Sequence, residues 1–278
     1  MPTNDKKITV KDRERNTATS KLNLILLFWV NDKGANMMSE SAQTRLNNIK
    51  KMNWYDPIVC KIHSIPIKSI DQIIEITEKY IQKYGGKDKI ETREIGIFSH
   101  SGEDGPICYR EPVIICPLDD RQRQMSLEGW EKIDFNWKKQ DAICVFYGCR
   151  SGLNLQDNIG HKCFAQNISV LSNFNNVEVW GQGSSSFPSF YPDYRVTTLL
   201  RSLKTGFSIV GNCQTYMVGG GNGEGNDALF PKKTSVNSVH RLTEKELKEY
   251  PKAKVMNSFK NGKEINSTHQ GVFNDHRK

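Results

Sequence analysis

Residues 141–152 read DAICVFYGCRSG. Within them Ala142-Ile143-Cys144-Val145-Phe146-Tyr147 is a short apolar run of β-branched and aromatic residues, which reads as a fully buried strand. The run empties into Gly148-Cys149-Arg150-Ser151-Gly152, so a cysteine stands at a strand exit between glycines, where backbone can approach a ligand closely. A second stretch of the same kind lies upstream. Glu94-Ile95-Gly96-Ile97-Phe98-Ser99 is again a short apolar strand, and it delivers His100 into Ser101-Gly102-Glu103-Asp104-Gly105. The two candidate groups are 149 − 100 = 49 positions apart.

Outward from these two stretches the chain alternates strand and helix. Leu22–Val30 reads as a first buried strand, 39–52 as a helix with Ala42, Leu46, Ile49 and Met52 inward, and 57–62 as a second strand. Ser69 and Gln72 form a capping-box pattern opening a helix whose apolar stripe is Ile70, Ile73, Ile74, Ile76 and Ile81, and Gly85-Gly86 ends it. After the His100 strand, 106–124 is irregular, with a hairpin expected around 113–115. A short helix at 127–135 precedes the Cys149 strand. A helix at 160–173, a strand at 177–180, a short helix at 197–203 and a strand or hairpin within 207–218 follow. A charged helix is expected at 243–250, and the polar end of the chain reads as surface cover or a final hairpin.

This order predicts an α/β fold, an open and mostly parallel sheet with helices on both faces. Residues 1–20 read as a polar N-terminal tail, 21–240 as the α/β domain and 241–278 as a polar C-terminal extension. Ligands of such sheets bind beyond the carboxyl ends of the strands. His100 and Cys149 leave consecutive strands at that end. If those strands pair, their axes lie about 4.8 Å apart and the two side chains come within reach of each other.

Size, composition and charge narrow the function classes. The chain has 278 residues, is 37% hydrophobic and 25% charged, and can therefore build a core. No apolar run has the length of a membrane span, and the polar N-terminus has no secretory h-region. Synthesis in the cytoplasm is expected, with export open only to a route that reads no such signal. The net charge of +8 raises nucleic acid as a partner, but the basic residues are scattered with no basic–aromatic stripe, which argues against it. Seven cysteines, several within expected strands, speak against a disulfide scaffold.

A free thiol has a pKa near 8.5 and is only about 3% thiolate at pH 7. A neighbouring imidazole raises that fraction or takes the proton during attack. The developing oxyanion then needs backbone donors, for which Gly102 and Cys149 itself are the candidates.

His100-Ser101-Gly102-Glu103-Asp104-Gly105 resembles the His-Gly-x-x-Gly turn of the caspase-like cysteine peptidases, with one extra residue after the histidine. Cys149-Arg150-Ser151-Gly152 resembles their Cys-Arg-Gly nucleophile segment, and the 49-residue separation matches the spacing of about 50 in caspases. The resemblance implies a caspase-like sheet, a peptide-bond substrate, His100 as base or proton donor, Cys149 as nucleophile and no cofactor. It departs at Tyr147, where relatives that cut after basic residues carry an acid and caspases carry glutamine, and at Ser101. These departures keep a non-catalytic binding module on the same fold as the alternative. Phe164-Ala165-Gln166, 177–181 and 259–264 are similar to segments of bacterial toxin and effector domains of the caspase-like and CHAT type. That likeness implies a specialised secretion route and a cognate immunity protein as partner.

Other constellations carry less. The glycines of 219–225 lack the lysine-serine ending of a phosphate loop. His161, Cys163, Cys144 and Cys149 contain no paired C-x-x-C, so zinc is not expected. Glu103 and Asp104 read as solvated. Tyr147, Ser184 and Ser185 are expected to line the substrate groove, and the aromatic stretch 188–195 to cover it or to pack.

Overall fold

The computed structural model describes residues 21–31, 36–102, 104–108, 124–153, 162–183 and 256–268, with the backbone of strands at 186–188, 197–201, 207–210, 216–218 and 239–241. The expected features at 113–115, 184–185, 219–225 and 243–250, and Glu103 and His161, lie outside them.

In chain order the elements are β1 Leu22–Val30, α1 Asn36–Ile49, β2 Cys60–Ile67, α2 Ile70–Lys83, β3 Ile90–Phe98, β4 Ser101–Gly102, β5 Gly105–Pro106, α3 Leu127–Glu131, β6 Ile143–Phe146, α4 Phe164–Ile168 and β7 Glu178–Gln182. Then come β8 Ser186–Pro188, β9 Thr197–Arg201, β10 Phe207–Val210, β11 Tyr216–Val218, β12 Val239–Arg241, β13 Met256–Lys260 and β14 Lys263–Thr268. A seven-stranded sheet has the order β14-β13-β7-β6-β3-β1-β2. β2, β1, β3, β6 and β7 are parallel, and β13 and β14 are antiparallel additions at one edge. The fold is therefore α/β with a mostly parallel sheet. β2 lies on one side of β1 and β3 on the other, so strand order reverses between β1 and β3.

Period-two burial divides the core. Leu24, Leu26, Phe28, Ile95, Ile97, Cys144 and Phe146 face one layer with Ile73 and Ile81 of α2, Trp130 of α3 and Phe164 of α4. Ile25, Leu27, Phe98, Val145 and Tyr147 face the other with Met38, Ala42, Leu46 and Ile49 of α1. Helices thus cover both faces. Each fully buried side chain of this size contributes about 1.5–3 kcal/mol of hydrophobic stabilisation.

Several elements differ from the sequence reading for physical reasons. β2 starts at Cys60 because Asp56 builds a turn there, accepting from the Ile58 N–H at 2.8 Å and, through its carbonyl, from the Cys60 N–H at 2.8 Å. Pro66 is tolerated because β2 is an edge strand. α2 begins after Ser69 as expected, but Gln72 Oε1 accepts from the Lys68 N–H at 2.7 Å, and the Ser69 side chain makes no cap. The helix expected over 160–173 is α4 plus a single 3-10 turn at Ser172–Phe174. Ser169 Oγ donates back to Gln166 O at 2.7 Å and accepts the Gly262 N–H at 3.0 Å, which ends the helix and docks the β13–β14 hairpin. Within the segment read as a helix at 197–203, Thr197–Arg201 is a strand, paired antiparallel with β8 and β10; its β-branched Thr197-Thr198 suits a pleated pair better than a helical turn.

The hairpin at 256–268 is continuous with the main sheet. β13 pairs with β7, Phe259 is fully buried and Met256 nearly so. Among the described residues, no helix is long and apolar enough to cross a membrane.

Candidate active site

β3 and β6 are parallel neighbours in the register Glu94↔Ile143, Ile95↔Cys144, Gly96↔Val145 and Ile97↔Phe146. The last ladder bond runs from the Tyr147 N–H to Ile97 O at 2.8 Å. Carried on in step, this register sets Ser99 beside Gly148 and His100 beside Cys149. The packing agrees with that continuation. A Cβ built on Gly148 would lie 2.4 Å from Ser101 Cβ and 3.1 Å from Ser99 O, so the residue before the cysteine touches both neighbours of the histidine. His100 is exposed and Cys149 half-buried, both on the rim at the carboxyl ends of the strands.

The His100 segment turns back as a small hairpin. Ser101 pairs with Pro106 and Gly102 with Gly105, and the Ile107 N–H donates to His100 O at 2.8 Å. Gly105 has φ +110°, and a Cβ there would fall 2.4 Å from the Phe164 ring. Glycine is therefore required for the turn and for its seat on α4. Ser101, the extra residue relative to the resembled turn, supplies the contact with Gly148, and its Oγ donates to Gly102 O at 3.1 Å. Gly102, a candidate oxyanion donor, is half-buried in this hairpin.

The Cys149 segment is held from below. Arg150 adopts φ +58°, which tightens the turn. Ser151 is fully buried; its Oγ lies 2.9 Å from Gly148 O and 3.2 Å from Phe146 O, and accepts the Gln182 N–H at 3.1 Å. Ser151 O accepts the Ala165 N–H of α4 at 2.8 Å. Gly152 and Gly181 pack backbone to backbone, since a Cβ on Gly152 would lie 2.4 Å from Gly181 O. Asn257 Nδ2 donates to Gly152 O at 2.9 Å, which ties the turn to β13.

Tyr147 has a different place from the substrate-lining one expected of it. It is 3% exposed and stacked on Phe98 with ring centroids 4.2 Å apart, and burial pushes its phenol pKa up. Alternation explains this: Tyr147 shares a sheet face with Val145, and that face is covered by α1. Gly96 leaves the space these rings need, because a Cβ there would meet Leu27 Cδ2 at 2.9 Å. On the same face Arg45 and Glu94 form a buried two-pronged ion pair, Nε to Oε1 at 2.8 Å and Nη2 to Oε2 at 2.7 Å.

Sequence reasoning missed Ser151, Asn257 and the Arg45–Glu94 pair. A serine after the cysteine carries no local mark of burial, and the other partners are remote along the chain. Cys144 and Cys163 are core residues whose thiols burial pushes up, Cys163 to about 11. Among the described residues no three or more histidine, cysteine or acidic side chains converge as metal ligands.

No protein-family profile matches the sequence, and no curated protein matches it. Among solved structures the chain is similar to a secreted C11 cysteine protease from Bacteroides thetaiotaomicron, whose X-ray structure holds an irreversible peptide inhibitor. The TM-score is 0.37 at 13% identity, covering 61% of this chain and 50% of that one. This chain thus spans half the length of that neighbour, and a likeness at this level establishes neither a family nor a chemistry.

Proposed function

We propose that the chain is a cysteine endopeptidase acting through Cys149 and His100. Cys149 Sγ attacks the peptide carbonyl, and His100 takes the thiol proton and returns it to the departing amine. The thioester is then hydrolysed by water that gives its proton to the same imidazole. The backbone N–H groups of Cys149 and Gly102 are the candidates to hold the oxyanion. The observation that carries this reading is the contact of Gly148 with Ser99 and Ser101, which joins the cysteine's turn to the histidine's hairpin on the ligand-binding rim. By the resemblance of its sequence motifs, the protein would be a bacterial effector whose target is a protein and whose immunity partner covers this rim.

The test is cleavage of fluorophore-labelled casein and of a mixed peptide library by the full chain. Cys149→Ala is expected to abolish cleavage, and His100→Ala to lower it by about 10²–10⁴-fold. Full cleavage by Cys149→Ala overturns the proposal. A binding module on the same rim is the second reading, favoured by Tyr147 being turned into the core, which leaves no acid or amide at that position for a substrate side chain. That reading expects no cleavage by the wild type.

A further inference from the structure

We infer that Ser151 is the positioning residue that aims the Cys149 N–H, and so sets the oxyanion-stabilising power of the site; this rests on the peptidase reading. The inference starts from peptide geometry. A trans peptide is planar, and its C=O and N–H point in opposite directions. The Gly148 carbonyl and the Cys149 N–H belong to one such plane. Ser151 Oγ lies 2.9 Å from Gly148 O, closer than to Phe146 O at 3.2 Å, and Ser151 is fully buried. The bond therefore pulls the Gly148 carbonyl inward and turns the Cys149 N–H the other way, away from the buried serine.

The hydroxyl can do this reliably because its own direction is set. Its oxygen accepts the Gln182 N–H at 3.1 Å, so its proton is directed to the Phe146 and Gly148 carbonyls. The serine backbone is pinned as well, since Ser151 O accepts from Ala165 at 2.8 Å. Gly148 has no Cβ to resist rotation of this plane, and Arg150 on the other side of the cysteine is already at φ +58°. The Ser151 hydroxyl, bonded to the Gly148 carbonyl, thus biases the Gly148–Cys149 peptide towards one orientation. Ser151 itself, buried beneath the turn, does not touch substrate.

The experiment separates thiol reactivity from oxyanion stabilisation. Alkylation of Cys149 by iodoacetamide develops no oxyanion, whereas a peptide aldehyde captured by the thiol does. Ser151→Ala and Ser151→Cys are compared with the wild type; cysteine fills the same space with a weak donor. Thermal unfolding is followed for each. The expected result is a fall in kcat on casein-derived peptide of roughly tenfold to a hundredfold with KM nearly unchanged, somewhat below the loss of a whole oxyanion donor. Affinity for the corresponding peptide aldehyde should fall by a similar factor, Ser151→Cys lying between wild type and Ser151→Ala, while the iodoacetamide rate stays within about twofold. Equal loss of alkylation and aldehyde capture, or unchanged kcat and aldehyde affinity in either folded variant of an active wild type, overturns the inference alone. A wild type that cleaves nothing overturns the peptidase reading and this inference with it.

Discussion

Gly148 and Ser101 are in contact with no space for a further carbon between them: a Cβ on Gly148 would stand 2.4 Å from Ser101 Cβ. The turn carrying Cys149 and the hairpin carrying His100 thus share one packing contact, and its tightness fixes how closely the segments approach. Gly148→Ala should push them apart, costing about 1–3 kcal/mol of stability through overpacking and most of the cleavage activity. Ser101→Gly removes the opposing carbon, so the double variant should recover much of both losses. A double-mutant cycle on unfolding free energy and on cleavage rate checks this, and simple additivity would refute it.

The Arg45–Glu94 pair is buried and bonded through both carboxylate oxygens. Removing one partner strands a charge in the core. Arg45→Met should destabilise the protein by about 3–5 kcal/mol, and combining it with Glu94→Leu should restore part of that stability. Urea unfolding of the two variants measures the difference, with the double variant expected at the higher midpoint.

The thiols should differ sharply in reactivity. Cys149 is half-buried on the rim, whereas Cys144 and Cys163 are in the core with pKa values raised by burial. At pH 8, brief iodoacetamide treatment should label Cys149 and leave Cys144 and Cys163 unmodified, as read by mass spectrometry of tryptic peptides. Labelling of all three at one rate would contradict this placement.

Burial of an acid's neutral form makes stability depend on alkaline pH. The Cys163 thiol rises from about 9 to about 11 on folding, so between those values the unfolded chain has released a proton that the folded chain keeps. Stability is therefore complete below pH 9 and lost as pH rises towards 11, by about 2–3 kcal/mol for this group. Cys163→Ala should flatten that part of the stability–pH curve. His63 behaves in the opposite range. Half-burial, with Lys83 nearby, lowers its pKa, and its Nε2 lies 2.8 Å from Tyr84 Oη. The unfolded chain takes up the proton first, so stability should fall as pH drops below about 6.5, and less so in His63→Gln.

The β13–β14 hairpin should be indispensable to the sheet. It buries Phe259 and Met256 against β7, and Asn257 bonds the carbonyl of Gly152. A chain ending at residue 255 should lose cooperative thermal unfolding. Asn257→Ala should remain folded yet lower cleavage, because it releases the turn that follows Cys149.

Much of the architecture was legible from local pattern. The apolar runs at Leu22–Val30 and 142–147, and the isoleucine stripe ended by Gly85-Gly86, reappear as β1, β6 and α2. The strand exits carrying His100 and Cys149 were legible for the same reason: an apolar run followed by glycine marks where a strand stops. Short or contested elements were not. Residues 197–203 have too few turns to declare a period, and α4 was overextended because the hydrogen bonds that end it come from Ser169 and from Gly262 of a distant hairpin.

The order of residues determined that this chain builds a wound α/β sheet and that a histidine and a cysteine leave two of its strands. Those facts follow from side-chain periodicity and glycine placement, which act over a few neighbouring residues. Only the tertiary structure decided that β3 and β6 pair, that Gly148 wedges against Ser101, that Tyr147 turns into the core and that Ser151 lies beneath the cysteine's turn. Each depends on partners dozens of residues away or on which sheet face a helix happens to cover, and such pairings leave no periodic trace along the chain.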